Sequence, residues 1–174
     1  MQCRGSVCAI DGCGIPAYAL PLRAVALAMA KLAAPERLRG VRQAAADRVL
    51  AAVSAHPWLV AGSGRFDTRA MSAYGGRFVV KTGAEGVHVA GIRGIGMGVA
   101  VKIDDGARRG AELALAAVLR LLGVLGSQHV DDWERAAVLN RRGELAGTAA
   151  PAQQWLAEAE KRLRPFRTLG SGRN

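Results

Sequence analysis

Residues 75–89 read Gly-Gly-Arg-Phe-Val-Val-Lys-Thr-Gly-Ala-Glu-Gly-Val-His-Val, and residues 99–106 read Val-Ala-Val-Lys-Ile-Asp-Asp-Gly. Short β-branched runs bounded by glycine are typical of strands. The two stretches predict strands at 78–81, 87–92 and 97–103. The linkers between these strands are short, which favours antiparallel pairing, because a parallel crossover needs about a dozen residues or more. We therefore expect a small antiparallel sheet in the middle of the chain.

The first and third predicted strands each carry a lysine close to the end. Lys81 precedes a Thr-Gly pair, and Lys102 precedes Ile-Asp-Asp-Gly. A lysine where a buried strand meets a glycine turn is well placed to face a pocket. The alternative is a pair of structural lysines at the edges of a small sheet, and spacing alone favours that alternative.

Helical patterns flank the strand region on both sides. Proline at 21 and at 35 is suited to the first turn of a helix, and the residue before Pro57 is pushed out of the helical conformation. The predicted helices cover 22–33, 35–55, 68–74, 107–125, 132–139 and 151–164. Residues 58–68 are predicted to form a loop, and residues 167–174 a frayed tail. The predicted fold class is α+β, an antiparallel sheet flanked by helices.

Composition indicates a globular protein with a basic surface. The chain has 174 residues, of which 51% are hydrophobic and 22% charged, and its formal charge is +10. A basic balance can favour nucleic acid or an anionic substrate. No aromatic-interleaved basic patch or nucleic-acid motif accompanies the charge. We therefore interpret it as solvated surface charge and expect no nucleic-acid partner.

Targeting and redox signals predict a cytoplasmic protein. Residues 1–14 lack the apolar core of a secretory signal, and the apolar runs are too short for a membrane span, so no membrane partner is expected. The three cysteines, Cys3, Cys8 and Cys13, form an odd set that is typical of reduced thiols. Their spacing is not the Cys-x-x-Cys of a structural zinc site. The three histidines show no ligand spacing either, and each is interpreted as a surface or cap residue.

Four motifs follow one another in an order that carries a family resemblance. They are Asp-Gly-Cys-Gly-Ile-Pro-Ala-Tyr-Ala-Leu-Pro-Leu at 11–22, His-Pro-Trp-Leu-Val-Ala-Gly-Ser-Gly-Arg-Phe-Asp-Thr at 56–68, the Lys-Thr-Gly segment at 76–87 and Ala-Val-Lys-Ile-Asp-Asp-Gly at 100–106. Together they resemble the rhizobial type of the L-asparaginase II family over residues 10–147. The resemblance implies hydrolysis of the side-chain amide of L-asparagine, a small-molecule substrate, to aspartate and ammonia. It also implies a partial serine β-lactamase/glutaminase-like fold, with Lys-Thr-Gly on a strand that lines the active site.

The resemblance assigns roles to individual residues. Lys81 matches a catalytic lysine that orients the nucleophile or stabilises charge, and Thr82 and Gly83 match its substrate-binding neighbours. A plain hairpin turn explains Gly83 equally well. Asp11 matches the aspartate that holds the α-amino group of asparagine, and a loop aspartate that only caps the helix after Pro21 is the alternative. Cys13 matches a zinc-ligand cysteine.

The departures from the family pattern concern the nucleophile and the metal. We expect an asparaginase II-like domain at 1–147, the C-terminal half of the family's usual length, and a C-terminal helix and tail at 148–174. The Ser-x-x-Lys motif, which supplies the nucleophile and its activating lysine, does not occur, since the residues three places before the four lysines are Ala28, Phe78, Val99 and Glu158. The Cys-Ser-Gly-Lys segment is also missing. Zinc is thus implied with an incomplete ligand set.

Three functional hypotheses remain open at this point. The protein is an asparaginase-type amidohydrolase that is truncated or works with a separately encoded N-terminal half, an inactive fragment, or a basic binding protein of another activity. We expect the isolated protein to be inactive. A sheet edge left without its partner strand invites pairing, so a homodimer or aggregation is also expected.

Overall fold

The computed structural model describes residues 7–167 and shows an α+β fold in which helices flank three small antiparallel sheets. The helices are α1 (Leu22–Ala33), α2 (Val41–Ala55), α3 (Pro57–Ala61), α4 (Phe66–Ala73), α5 (Arg108–Leu121), α6 (Val130–Trp133) and α7 (Gln153–Arg167), with 3-10 turns at Pro35–Arg37 and Ser127–His129. The strands are β1 (Cys8–Ile10), β2 (Pro16–Tyr18), β3 (Phe78–Thr82), β4 (Val87–Ile92), β5 (Met97–Lys102), β6 (Ala136–Leu139) and β7 (Leu145–Ala149). The predicted fold class is confirmed.

The central sheet has the strand order β3-β4-β5 with antiparallel pairing throughout, as predicted. Val80 pairs with Ala90, and Ala90 pairs with Val99. Since paired residues of neighbouring strands point to the same side, these side chains share one face of the sheet. Helix α5 packs on this face, where Leu115 and Leu119 are 0% exposed. The prediction that this apolar helix is buried against the sheet is confirmed.

Helix α1 covers the other face of the central sheet at two paired glycines. Gly91 and Gly98 lie opposite each other on β4 and β5. A Cβ at Gly98 would overlap the carbonyl oxygen of Ala26, and a Cβ at Gly91 would lie 2.9 Å from the carbonyl oxygen of Met29. The alanine-rich helix and the sheet therefore approach each other closely because neither surface carries a large side chain.

Two of the predicted segments between 35 and 68 differ from the structure. The helix predicted over 35–55 is divided, because Gly40 has a φ of +56°, a left-handed conformation that separates the 3-10 turn from α2. The predicted end of this helix before Pro57 is confirmed. The loop predicted at 58–68 is wrong in part, since Pro57 begins the short helix α3.

The helix predicted over 132–139 is wrong, because α6 ends at Trp133 and Ala136–Leu139 forms β6, which pairs with β7. The turn between the two strands accounts for the hairpin. The Asn140 side chain accepts hydrogen bonds from the backbone N–H groups of Arg142 and Glu144. Gly143 has a φ of +80°. These side-chain-to-backbone hydrogen bonds stabilise a turn, so a hairpin forms where the apolar pattern predicts a helix.

The C-terminal part of the described residues is the exposed helix α7, close to the predicted helix at 151–164. The domain boundary at 147 stays a prediction, and most of the predicted tail lies outside the described residues. Within residues 7–167, no helix has both the length and the apolar character needed to cross a membrane.

Candidate functional site

Lys81 and Thr82 are neighbours on β3, and their side chains lie on opposite faces of the central sheet. Lys81 pairs with Val89, on the face covered by α1, whereas Thr82 pairs with His88, on the face covered by α5. The Lys81 side chain is exposed, and its Nζ donates to the carbonyl oxygen of Thr82 at 2.7 Å. The Lys-Thr-Gly segment thus presents an ammonium group on one side and a hydroxyl group on the other.

The Thr82 side chain belongs to a buried polar cluster with Asp67 and His88. Asp67 Oδ2 accepts from the backbone N–H of Thr82 at 2.8 Å, and both Asp67 carboxylate oxygens lie within 3.1 Å of Thr82 Oγ1. His88 Nε2 lies 2.7 Å from Asp67 Oδ1. Asp67 is 1% exposed and His88 is 0% exposed. Three donors therefore converge on one buried carboxylate, at the outer edge of β3.

The electrostatics of this cluster favour an ionised Asp67. Burial alone would raise the pKa of Asp67, but the hydrogen bond and charge of His88 and the hydrogen bonds from Thr82 outweigh it and lower the pKa. An ionised carboxylate only accepts hydrogen bonds, so Nε2 of His88 carries the proton in this contact. Nδ1 of His88 is buried and has no hydrogen-bond partner among the described residues. Phe66 packs edge-on against the His88 ring, with centroids 5.5 Å apart.

The sequence analysis missed this cluster. The interpretation of His88 as a surface or cap residue is wrong. The signal was present in the strand period, because His88 alternates with Ala90 and Ile92 on the core face of β4. Asp67 lies in the segment predicted to be a loop, which gave no indication of a buried carboxylate. Its link to Thr82 spans two elements, so no local pattern shows it.

Gly83 begins the turn that joins β3 to β4. Its N–H donates to the carbonyl oxygen of Val87 at 2.8 Å, and its own position is exposed. The turn also holds Glu85 at a φ of +53°, next to Gly86 at +68°. Hairpin geometry therefore accounts for the glycines of this turn, and a substrate-binding role for Gly83 stays a prediction.

Asp11 and Cys13 form a second polar group, in the exposed loop between β1 and β2. Asp11 Oδ1 accepts from the Cys13 thiol and from the Cys13 backbone N–H, both at 2.9 Å. The thiol hydrogen bond, followed by the backbone N–H groups, lowers the pKa of Asp11, so its carboxylate is ionised at neutral pH. Helix α1 receives no side-chain capping hydrogen bond. The alternative in which Asp11 only caps that helix is therefore wrong.

The described residues do not by themselves fit a closed zinc site. Cys13 Sγ and the Asp11 carboxylate are adjacent donors, but within residues 7–167 no group of three or more potential ligand side chains occurs. A structural zinc ion takes four ligands. Cys8 is free and exposed on β1, and Cys3 lies outside the described residues.

The two groups of predicted site residues lie on different elements of the described structure. Lys81, Thr82 and Gly83 lie at one end of the central sheet, whereas Asp11 and Cys13 lie in the β1–β2 hairpin. No hydrogen bond or salt bridge in the described part of the protein joins the two groups. An ammonium group and an ionised carboxylate are thus both exposed, one in each group.

The comparison with known families supports the motif order. The family model of L-asparaginase II matches residues 1–151, a longer segment than the predicted 10–147 at both ends. Residues 1–9, which the motifs place outside the resemblance, fall within the match. No curated protein matches the chain significantly. Since the family match extends over most of the 174 residues, the chain belongs to the L-asparaginase II family.

Proposed function

We propose that the protein is an asparaginase-type amidohydrolase module that hydrolyses L-asparagine to L-aspartate and ammonia once a second segment supplies the nucleophile. The observation that carries this proposal is the position of Lys81. Its ammonium group is exposed at the end of β3, and the next residue of that strand is held from the opposite face by Asp67. A charged donor on a rigidly held strand suits electrostatic stabilisation of a tetrahedral intermediate.

The proposed roles follow the hydrogen bonds. Lys81 orients the nucleophile or stabilises the developing negative charge. The Thr82 hydroxyl is occupied by Asp67, so Thr82 acts on substrate through its backbone carbonyl, which faces away from β4. Gly83 allows the substrate to approach the strand end. Asp11, whose lowered pKa keeps it ionised, holds the α-ammonium group of asparagine.

The nucleophile is proposed to come from another segment because the described residues show none beside Lys81. The sequence has no Ser-x-x-Lys motif. The hydroxyl nearest in sequence, that of Thr82, lies on the other face of the sheet and is bonded to Asp67. In the completed reaction the C–N bond of the asparagine amide breaks, a C–O bond to water forms, and ammonia leaves with a proton from water.

The β1–β2 hairpin is the proposed contact surface for that segment. Its apolar side chains Val7, Ile10, Ile15 and Tyr18 are between 52% and 77% exposed. The register places Ile10 and Tyr18 on one face of the hairpin and Val7 and Ile15 on the other. Exposed apolar side chains on both faces suit a hairpin that is covered by another segment. On this proposal an N-terminal half of the enzyme covers the hairpin and brings its nucleophile towards Asp11 and Lys81. Without that half, the hairpin is covered by a second copy of the protein.

Two further features belong to the same proposal. A β-lactamase-like arrangement is supported by Lys-Thr-Gly at the end of an antiparallel strand with helices on both faces. A cytoplasmic location is supported by Cys8 and Cys13, which are both free and exposed thiols. The second candidate is a fragment without catalytic activity. It is favoured by the sequence, which has no Ser-x-x-Lys motif.

Ammonia release from L-asparagine tests the proposal. We expect the purified protein alone to release none above background. Mixed with a folded N-terminal segment of a full-length family member that carries Ser-x-x-Lys, it should release ammonia. The same segment alone serves as the control. Ammonia release by this protein alone would contradict the need for a second segment, and a correctly assembled but inactive mixture would favour the inactive fragment.

A further inference from the structure

A surface cavity of about 770 Å³ lies at the end of the central sheet opposite to Lys81. It is bounded by the beginning of β3, the β4–β5 turn, the 3-10 turn at Pro35–Arg37 and helix α2. The volume is in the usual range for small-molecule sites, roughly 300–1,000 Å³. Lys81, Thr82, Gly83, Asp11 and Cys13 do not line it. The cavity is therefore separate from the proposed active site.

Two arginines meet at this cavity in an arrangement that lacks a counter-ion. The backbone N–H of Arg93 donates to the carbonyl oxygen of Arg77 at 3.0 Å, so the two residues lie directly opposite each other at the ends of β4 and β3. Like charges in such a cross-strand pair destabilise the sheet. Neither guanidinium forms a salt bridge within residues 7–167, and Arg93 Nη1 lies 3.5 Å from the carbonyl oxygen of Gly76, another lining residue. An anion bound between them would offset the repulsion.

Acidic side chains line the opposite part of the same cavity. Asp47, on α2, is exposed and has no salt-bridge partner in the described part of the protein. Glu36 Oε1 lies 3.8 Å from Arg37 Nε, so these two side chains form a salt bridge. Arg37 itself does not line the cavity. The charged lining groups that form no salt bridge within residues 7–167 are Arg77, Arg93 and Asp47, and their charges sum to +1. The cavity therefore suits a ligand with one net negative charge that also carries a cationic group.

We propose that this cavity binds an acidic α-amino acid, such as L-aspartate or L-glutamate. The two ligand carboxylates bind Arg77 and Arg93, since guanidinium groups bind carboxylates in a bidentate manner. The α-ammonium group binds Asp47. The net charge of the ligand, −1, matches the excess charge of the site. This proposal does not depend on the proposed amidohydrolase function, which places asparagine at the other end of the sheet.

Binding by isothermal titration calorimetry tests the ligand class. We expect L-aspartate or L-glutamate to bind about tenfold or more tightly than succinate, which lacks the ammonium group, and than inorganic phosphate. L-Asparagine, which has one carboxylate fewer, should also bind more weakly. Equal affinity for succinate or phosphate would overturn the proposal, because it would mean that the cavity recognises negative charge alone.

Variants of exposed residues locate the binding site. Arg77→Gln and Arg93→Gln should each weaken L-aspartate binding about tenfold. Asp47→Asn should weaken L-aspartate binding but not succinate binding, because succinate has no ammonium group and loses a repulsive neighbour. Arg141→Gln, an exposed arginine in the β6–β7 turn, is the matched control and should have no effect. Arg93→Lys, which keeps the charge but not the bidentate geometry, replaces Arg93→Gln if that variant does not fold.

The Lys81→Ala variant distinguishes L-aspartate binding in this cavity from L-aspartate binding at the proposed active site. We expect it to leave L-aspartate binding unchanged. If Lys81→Ala abolished binding while the Arg77 and Arg93 variants retained it, L-aspartate would occupy the proposed active site instead. That result would overturn the cavity proposal and support the amidohydrolase site. Unchanged binding in all of these variants would overturn the cavity proposal as well.

Discussion

Asp67 accepts hydrogen bonds from the Thr82 backbone, the Thr82 hydroxyl and His88 at a position that solvent barely reaches. At the outer edge of β3, where no neighbouring strand among the described residues pairs with it, this carboxylate takes the role of a strand partner for Thr82. It also accepts the hydroxyl proton of the Thr82 side chain. Lys81, one residue earlier, consequently has a fixed backbone position, while its side chain lies exposed with Nζ donating to the Thr82 carbonyl oxygen.

Asp67→Asn should lower the free energy of unfolding by about 3 kcal/mol. If the amide NH₂ group faces the Thr82 N–H, two buried donors oppose each other. If it faces His88, Nε2 can accept only in the tautomer that carries its proton on Nδ1, a buried atom with no partner among the described residues. Either orientation leaves a buried donor without an acceptor. Chemical denaturation measures the change. Asp104→Asn, at an exposed carboxylate, is the control and should change stability little.

The effect of Asp67 on stability should depend on pH in a defined direction. The pKa of Asp67 is lower in the folded state than its ordinary value of 3.8, so the unfolded state binds the proton more readily. The stabilisation is therefore complete above that value and is lost as the pH falls through the folded-state pKa. The stability difference between wild type and Asp67→Asn should shrink in acid. A difference that grew on acidification would contradict the ionised state of Asp67.

At the residue scale, the sequence predicts the end of β3 better than its surroundings. Glycine-bounded β-branched residues predict the strand, and alternation predicts that Lys81 and Thr82 face opposite ways. The contact between Asp67 and Thr82 depends on how α4 lies along β3, which no local pattern encodes. The hydrogen bond from the Cys13 thiol to Asp11 could not be predicted from a local pattern either, although the glycines around Cys13 predict a tight loop there.

At the scale of elements, the contact between α1 and the central sheet depends on small residues on both surfaces. Gly91 and Gly98 form a cross-strand pair, and the backbone of α1 passes directly over them. The sequence predicts α1 with its observed bounds, because Pro21 and a run of small apolar residues are local signals. The face that α1 covers could not be predicted, since it follows from the register of β4 and β5.

Gly98→Ala should destabilise the protein by about 3 kcal/mol, because the added methyl group overlaps the Ala26 carbonyl oxygen and lies 2.6 Å from the Ala30 nitrogen. The neighbouring atoms are backbone and cannot rotate away. Gly147→Ala is the matched control, as Gly147 is also in a strand and a Cβ there meets nothing within 4 Å. Equal thermal stability of the two variants would show that α1 does not pack closely on β5.

The β6–β7 hairpin shows where pattern reading misleads. The segment before Leu139 is apolar and alanine-rich, which favours a helix. The Asn140 turn lies just outside that segment, and its hydrogen bonds to Arg142 and Glu144 reverse the backbone direction within a few residues. A turn signal next to a weak helical pattern thus decided the structure.

At the scale of the whole molecule, we expect the exposed β1–β2 hairpin to mediate association. The central sheet does not close on itself, and β3 and β5 are its outer strands. We expect the purified protein to form dimers or larger species through the hairpin, seen by size-exclusion chromatography with light scattering. Ile10→Ser combined with Ile15→Ser should shift it towards the monomer. Val41→Ser, at an apolar side chain that is 86% exposed elsewhere, should not.

A wild-type protein that is monomeric at every concentration would contradict this prediction. Composition and charge could not predict the exposed apolar surface of the hairpin, because its four apolar residues form no distinctive sequence pattern. Their exposure follows from a hairpin that packs on no other sheet among the described residues. Family membership, by contrast, was accessible from the sequence, because four motifs in order are specific at the level of individual residues.

We propose that the Lys81 end of β3 is one side of an amidohydrolase site. The most direct test measures kcat/KM for L-asparagine in the assembled enzyme with Lys81→Ala and with Lys102→Ala. Lys102 is a matched control, because it is exposed at the end of β5 on the same face and its Nζ also donates to the next carbonyl oxygen. Lys81→Ala should lower kcat/KM by about 10²–10³, and Lys102→Ala should leave it nearly unchanged. Equal effects of the two substitutions would contradict the claim.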